Sequence, residues 1–277
     1  MKSTFTDIYK GPFGRFTVNL LQKTGAFKLV SWYLKSGLSR RMIPGDIEKN
    51  HIDMQYFKGQ EYRSFADFFG RKRDDISCDT DPDVLISPCD SLLSIYSIAK
   101  DLNIPMKGSQ YRLCDIVPDE ETAKNLMDGI CLVFRLQASD YHHFCAFDDV
   151  TIKDTHYIPG ELHSVQPIAC EKLPVYRLNR RWWTKLDTAH FGEAVQMEVG
   201  AMMVGGVHFA KASGSLCRGD EMGNFELAGS TIILMLPAEV KEKLTFEPKL
   251  SVALNGESEV SVSIGERIGT LKKAKEV

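Results

Sequence analysis

Three short stretches hold side chains able to do chemistry. In ISPCDS, Asp90 follows an apolar, strand-like VLISP; in SDYHHFCAFDD, Asp140, His142 and His143 follow the apolar CLVFRL. In FELAGSTIILML, a Gly229-Ser230-Thr231 triplet opens directly into a buried-looking run. Read singly, each has a structural explanation: a turn aspartate bonding its own backbone, a hydrogen-bonded histidine at a strand end, a hydroxyl pairing the backbone. Read together, they supply an acid, a base and a nucleophile in the chain order Asp90, His142, Ser230. Activating a serine requires a base within hydrogen-bond reach and a group that orients the base. A generic serine hydrolase is one reading, although no G-x-S-x-G elbow is present. Another is that Ser230 attacks the peptide bond just before it. Spacing alone does not bring the three side chains together. The seven histidines include no H-E-x-x-H or comparable ligand spacing, so no metal is expected.

The elements that would have to position these residues fall into two textures. Residues 1–44 read as helical, ending at Pro44-Gly45, and a second helical stretch through SFADFFGRK has Ser64 as its N-cap. From residue 83 the chain turns to short apolar runs with partial alternation: VLISP, LLSIYSI, CLVFRL, VTIKDTHYI, AVQMEVGAMMVGGVHFA, STIILML and SVALN. EETAKNLM is the best helix between them. The fold expected is α+β: a β-rich, mostly antiparallel catalytic domain, 45–277, behind an N-terminal helical segment, 1–44.

Composition adds two constraints. Seven cysteines without a C-x-x-C pair argue against a zinc cluster or disulfide framework and for a reducing compartment. No signal peptide and no membrane-spanning apolar run are expected. The net charge of −3 is unevenly spread, because residues 1–41 carry eight Lys/Arg against Asp7 alone, leaving the remainder at −10. The same segment interleaves Phe16, Leu20, Phe27, Leu29 and Trp32 with the cations. Such a helix can lie in a membrane interface, where each cation near an anionic leaflet contributes about 1 kcal/mol. On these residues alone, a helix packed on its own domain with solvated lysines is equally consistent. No nucleic-acid partner is expected.

The ordered series RSFADFFGRK, ISPCDS, KGSQYRL, ASDYHHF, YIPGELHSVQPIA, VGAMMVG, RGDEMGNF and AGST resembles the phosphatidylserine decarboxylase family, over residues 60–236. It is most similar to the bacterial branch whose strand after the first histidine carries Cys and an acidic pair. The resemblance implies that Ser230 attacks the Gly229 carbonyl, giving an ester that eliminates to leave a pyruvoyl group. The chain would then be divided into a β chain, 1–229, and an α chain beginning at residue 230, which stay associated. His142 would take the hydroxyl proton and Asp90 would orient its imidazole. The pyruvoyl group, acting as an electron sink through a Schiff base, would convert phosphatidylserine to phosphatidylethanolamine and carbon dioxide. The resemblance also implies a peripheral position on the cytoplasmic side of the cell membrane, contact with the bilayer through the basic segment, and dimers of processed units.

Two departures stand out. Many members have D-Y-H-x-x-H where this chain has Cys145, so His143 or Cys145 would substitute, although a thiol is a poorer proton carrier at neutral pH than imidazole. Ala228 replaces the glycine-preceding leucine of L-G-S-T, which sits one place earlier as Leu227. The resemblance also assigns His163 to the substrate side, and Lys107 and Tyr111 to the phosphate or headgroup. Arg218 and Glu221 are expected to shape the turn before the cleavage site. The competing readings are a relative acting on a soluble amino acid such as tryptophan, an unprocessed lipid-binding relative, and the serine hydrolase.

Overall fold

The computed structural model describes residues 7–11, 13–101, 103–106, 109–202, 206–227 and 230–272. The helical start comprises α1 (Gly14–Lys23), α2 (Ala26–Lys35), α3 (Ile43–Asn50) and α4 (Phe65–Phe69). Pro44 lies in the first turn of α3 rather than ending the preceding helix, because a proline needs no amide partner there. Ser64 caps α4 as its sequence suggests, its hydroxyl accepting from Asp67 N at 3.1 Å.

Strands β1 (Val84–Ile86), β2 (Ser91–Ser97), β3 (Asn103–Met106) and β4 (Ser109–Arg112) lead into α5 (Leu113–Ile116) and α6 (Glu120–Asn125). Next come β5 (Ile130–Leu136), β6 (His143–Cys145), β7 (Val150–Ile158), α7 (Pro167–Cys170) and α8 (Val175–Leu178). The remainder is β8 (Arg181–Thr188), β9 (Glu193–Val199), β10 (Val207–Phe209), β11 (Gly214–Leu216), β12 (Glu221–Phe225), β13 (Ser230–Leu236), α9 (Ala238–Lys243), β14 (Leu244–Phe246), β15 (Val260–Val262) and β16 (Arg267–Leu271). SVALN, expected as a strand, lies mostly in a 3-10 turn, Pro248–Ala253, where Pro248 and the packing of Leu250 and Ala253 override β propensity.

The backbone of the fold is an eight-stranded sheet, β11-β7-β8-β9-β13-β5-β2-β15, whose neighbouring strands all run antiparallel. Its middle strands, β13 and β5, are buried along their whole length, which explains why they read as continuous apolar runs. Alternation sorts their side chains onto two cores. Ile232, Leu234 and Leu236 face one core, with Phe134, Phe144, Met222 and Phe225. Ile233 and Met235 face the other, with Tyr9, Val18, Tyr111 and Tyr176.

The first core lies between the large sheet and two three-stranded sheets, β1-β16-β14 and β10-β12-β6. Gly223 allows the second of these to close. A Cβ there would sit 2.2 Å from the His208 carbonyl oxygen and 2.9 Å from the Phe144 ring. The second core is covered by the β3-β4 hairpin, the short helices and α1.

Candidate active site

Ser230 is the first residue of β13 and its Cα pairs with that of Leu136 at the end of β5. Its side chain therefore points to the same face as Ile232, into the space beneath the β10-β12-β6 sheet. Ser230 is buried, and its Oγ has no hydrogen-bond partner among the described residues. Gly229 and Ala228 lie outside the described residues. The adjoining segment is fixed by the Phe225 amide, which donates to the His142 carbonyl at 2.9 Å. Leu227 packs in a small core with Leu34 and Phe69. That same Phe69 ring lies 4.0 Å, centroid to centroid, from the His142 imidazole.

His142 sits in the turn between β5 and β6, wholly buried. Its Nδ1 lies 2.9 Å from the Asp140 backbone oxygen. Because a carbonyl only accepts, Nδ1 carries the proton and Nε2 keeps a free lone pair. Nε2 has no partner among the described residues. Burial, reinforced by the nearby Arg71 charge, pushes the imidazole down to about 3, so the ring stays neutral. The result is a neutral imidazole with its basic nitrogen free.

The sequence-based assignment had Asp90 holding this ring; the structure has the Asp140 carbonyl there instead. Asp90 Oδ1 accepts from Ile264 N at 2.7 Å, and Oδ2 faces Arg73 Nη1 at 3.8 Å. Arg71 completes the support, donating from Nη2 to the carbonyls of Ser139 at 2.8 Å and Asp140 at 3.1 Å. Its guanidinium lies 5.0 Å and 5.1 Å from the centres of the Phe57 and Phe68 rings. Sequence reasoning passed over Arg71, although a cation directly after FADFFG is conspicuous among apolar neighbours.

His143 and Cys145 point to the other side of β6, into an open cleft with Lys72, Arg73, Tyr141 and Glu221. His143 Nδ1 meets Glu221 Oε1 at 2.8 Å, Nε2 meets the Gly70 carbonyl at 3.1 Å, and the ring stacks on Tyr141. Glu221 also pairs with Lys72 at 2.6 Å. Cys145 is buried and its thiol is pushed up to about 12, which makes it an ineffective proton carrier in place of a histidine.

Two other assigned residues lie elsewhere. Tyr111 is a core residue on the opposite face of the large sheet, its ring 5.6 Å from that of Tyr176. His163 is tied to Tyr9 Oη at 3.1 Å and to Glu161, which pairs with Arg15; it anchors the N-terminal segment rather than facing Ser230. Lys107 lies outside the described residues. Arg218 does shape its turn, donating to Asp148 Oδ1 at 2.8 Å and to backbone oxygens of residues 81, 82 and 84.

A buried serine opening a central strand, and a buried, neutral histidine whose carbonyl receives the Phe225 amide of the segment leading to that serine, define the candidate active site. The sequence profile of the phosphatidylserine decarboxylase family matches residues 65–270, and the chain belongs to that family. It is 34% identical to phosphatidylserine decarboxylase proenzyme 2 of Clostridium acetobutylicum over 267 residues, covering 95% of this chain and 90% of the relative. It is also 35% identical to the Clostridium kluyveri proenzyme over 270 residues, covering 94% and 90%. Against the Desulfitobacterium hafniense Y51 proenzyme it is 33% identical over 273 residues, covering 96% and 91%.

Proposed function

We propose that this chain is a proenzyme that cleaves itself between Gly229 and Ser230 and then decarboxylates phosphatidylserine to phosphatidylethanolamine. The observation carrying the reading is that two buried atoms, Ser230 Oγ at the start of β13 and His142 Nε2, have no hydrogen-bond partner among the described residues. An unpaired buried hydroxyl costs about 1–3 kcal/mol, so a structure that keeps one at this position gives it another use. The family membership and the relatives' proenzyme names support the same reading.

In the first reaction His142 Nε2 takes the Ser230 hydroxyl proton as Oγ attacks the Gly229 carbonyl carbon, and the proton passes to the peptide nitrogen, which leaves as an amine. Loss of the residue-230 α-proton then expels the Gly229 carboxylate and cuts the chain, and water supplies the ketone oxygen as the residue-230 nitrogen departs as ammonia. The Asp140 carbonyl holds the ring in the tautomer this needs, and Arg71 holds that carbonyl. The orphaned Ser230 hydroxyl, sheltered between two sheets, fits a serine-derived pyruvoyl group at residue 230. When formed, that group supplies the ketone that binds the substrate amine and accepts electrons as carbon dioxide leaves. Around it, Leu136, Ile232 and Phe225 exclude water, a setting in which a carboxylate is lost more readily.

The lipid substrate, rather than a soluble amino acid, is supported by the helical start. Phe13, Phe16, Leu20, Leu29, Trp32, Leu38 and Met42 are exposed there, the first three and the next two at helical spacing on single faces. Lys23, Lys28, Arg40 and Arg41 are exposed among them. Among the described residues no helix is long and apolar enough to cross a membrane. The arrangement fits peripheral contact with an anionic leaflet, on the cytoplasmic side. Through Leu34, α2 also packs with Leu227, just before the cleavage site.

Intact mass under denaturing conditions tests the first reaction. Two fragments divided between Gly229 and Ser230, the smaller with a pyruvoyl N-terminus, are expected. Ser230→Ala is expected to remain one chain. A single uncut wild-type chain, inactive on phosphatidylserine vesicles, would sink the proposal and favour a lipid-binding relative.

A further inference from the structure

Glu198 is used by neither reaction as described so far, yet it is fully buried in the centre of the large sheet. Its Cα pairs with Ile232 on β13, so it shares a sheet face with Ile232 and hence with Ser230, two residues away. Such a diagonal neighbour across a strand pair lies roughly 7–8 Å away, within reach of a long side chain. Gln196, on the same face of β9, donates from Nε2 to Glu198 Oε1 at 2.8 Å and contacts Met222 Sδ at 3.7 Å. Glu198 Oε2 and Gln196 Oε1 have no partner among the described residues. Ser230 Oγ, Glu198 Oε2 opposite Ile232 and Gln196 Oε1 opposite Leu234 thus share one sheet face, each without a hydrogen-bond partner among the described residues.

A carboxylate with one unpaired oxygen is expensive to bury, and a carboxylic acid is much less so. Burial raises the Glu198 carboxyl to about 7, so much of it carries a proton at neutral pH. His142, held neutral with Nε2 bare, is a proton acceptor at that pH, not a donor. The two groups are therefore poised oppositely, one for each reaction.

We propose that Glu198 is the proton donor of the decarboxylation step, while His142 serves self-cleavage. The assignment rests on the decarboxylase reading above. Breaking the bond between the amine-bearing carbon and the carboxylate would release carbon dioxide and leave an electron pair on that carbon, for which a carbonyl group at residue 230, once formed, would supply the sink. That carbon then takes the proton of the Glu198 carboxyl, leaving a carboxylate that solvent reprotonates before the next turnover. Gln196 orients the carboxyl through Oε1, leaving Oε2 to face the reacting carbon.

The test uses the full-length chain with phosphatidylserine in mixed micelles, in heavy water. Wild type is expected to place one deuterium on the headgroup carbon in a single configuration. Glu198→Gln is expected to self-cleave normally by intact mass, to lose about 100-fold or more in turnover, and to label both configurations as solvent replaces the donor. Glu198→Asp is expected to recover part of the rate with the single configuration.

Turnover by Glu198→Gln within a few-fold of wild type, with one configuration kept, would overturn the assignment. So would failure of Glu198→Gln to self-cleave, which would move the residue to the first reaction. An infrared carboxylic-acid band at pH 6 in Ser230→Ala, lost in Ser230→Ala/Glu198→Gln, is required independently of turnover, and its absence also overturns the proposal. A wild-type chain that neither cleaves nor releases carbon dioxide is a different result, and it would fail the decarboxylase reading itself.

Discussion

His142 carries its proton on Nδ1 because the Asp140 carbonyl leaves no alternative, and burial keeps the ring uncharged to about pH 3. Two outcomes follow at this scale. Removing the base in His142→Ala is expected to slow self-cleavage by about 10²–10⁴-fold, followed by intact mass against time. In wild type the cleavage rate is expected to be level from about pH 5 to 8, since the base stays unprotonated throughout. The same residue affects stability. Its folded value lies below the 6.5 of the free group, so the unfolded chain binds more protons between the two, and stability falls as pH drops from 6.5 towards about 3. Glu198 has the opposite sign: raised from 4.5 to about 7, it contributes stability below 4.5 that is lost as pH rises through 7. Urea midpoints across this range, for wild type and His142→Phe, should show a shallower acid limb in the variant.

At the scale of elements, the N-terminal helices are fastened by a short polar chain. Tyr9 Oη accepts from Ser164 N at 3.0 Å and meets His163 Nδ1, whose Nε2 meets Glu161, which in turn receives Arg15. Burial acts to raise the Glu161 carboxyl, but hydrogen bonds from Arg15 and His163 outweigh it and hold the group at about 2. Tyr9→Phe leaves the Ser164 amide and His163 Nδ1 unpaired in a buried place. It is expected to cost roughly 1–3 kcal/mol in urea unfolding while the cleavage rate stays at the wild-type value. A fall in cleavage matching that of His142→Ala would return His163 to the site.

For the whole molecule, the large exposed side chains of α1 and α2 are the feature to test. Phe16 is 67% exposed, Leu29 70% and Trp32 70%, and all three lie in the stretch that is also the most basic of the chain. Each such side chain contributes up to about 1.5–3 kcal/mol when fully buried, so Phe16→Ser/Leu29→Ser/Trp32→Ser is expected to bind anionic vesicles at least about tenfold more weakly. Co-sedimentation with vesicles containing phosphatidylserine measures this, and binding should also weaken with salt. Unchanged binding would favour a soluble substrate.

Much of this protein was legible before its fold. The strands β1, β2, β5, β7 and β13, the Ser64 cap and the α+β class follow from apolar periodicity and turn residues, which act locally and leave their mark in order along the chain. The ordered motifs likewise drew attention to Ser230 and His142, each of which is buried with one atom lacking a partner among the described residues. What the sequence could not decide was which groups meet. Asp90 bonds Ile264, 174 positions away, and Tyr111 and Ser230 fall on opposite faces of one sheet. His163 joins Tyr9, 154 positions away, in a fastening no local pattern announces. Glu198 carries no signal in AVQMEVGAMMV; only strand register sets it opposite Ile232, on the sheet face of Ser230. Hydrogen bonds, burial and the proton affinities they set depend on pairings between distant segments, and those exist only once the sheets have closed around them.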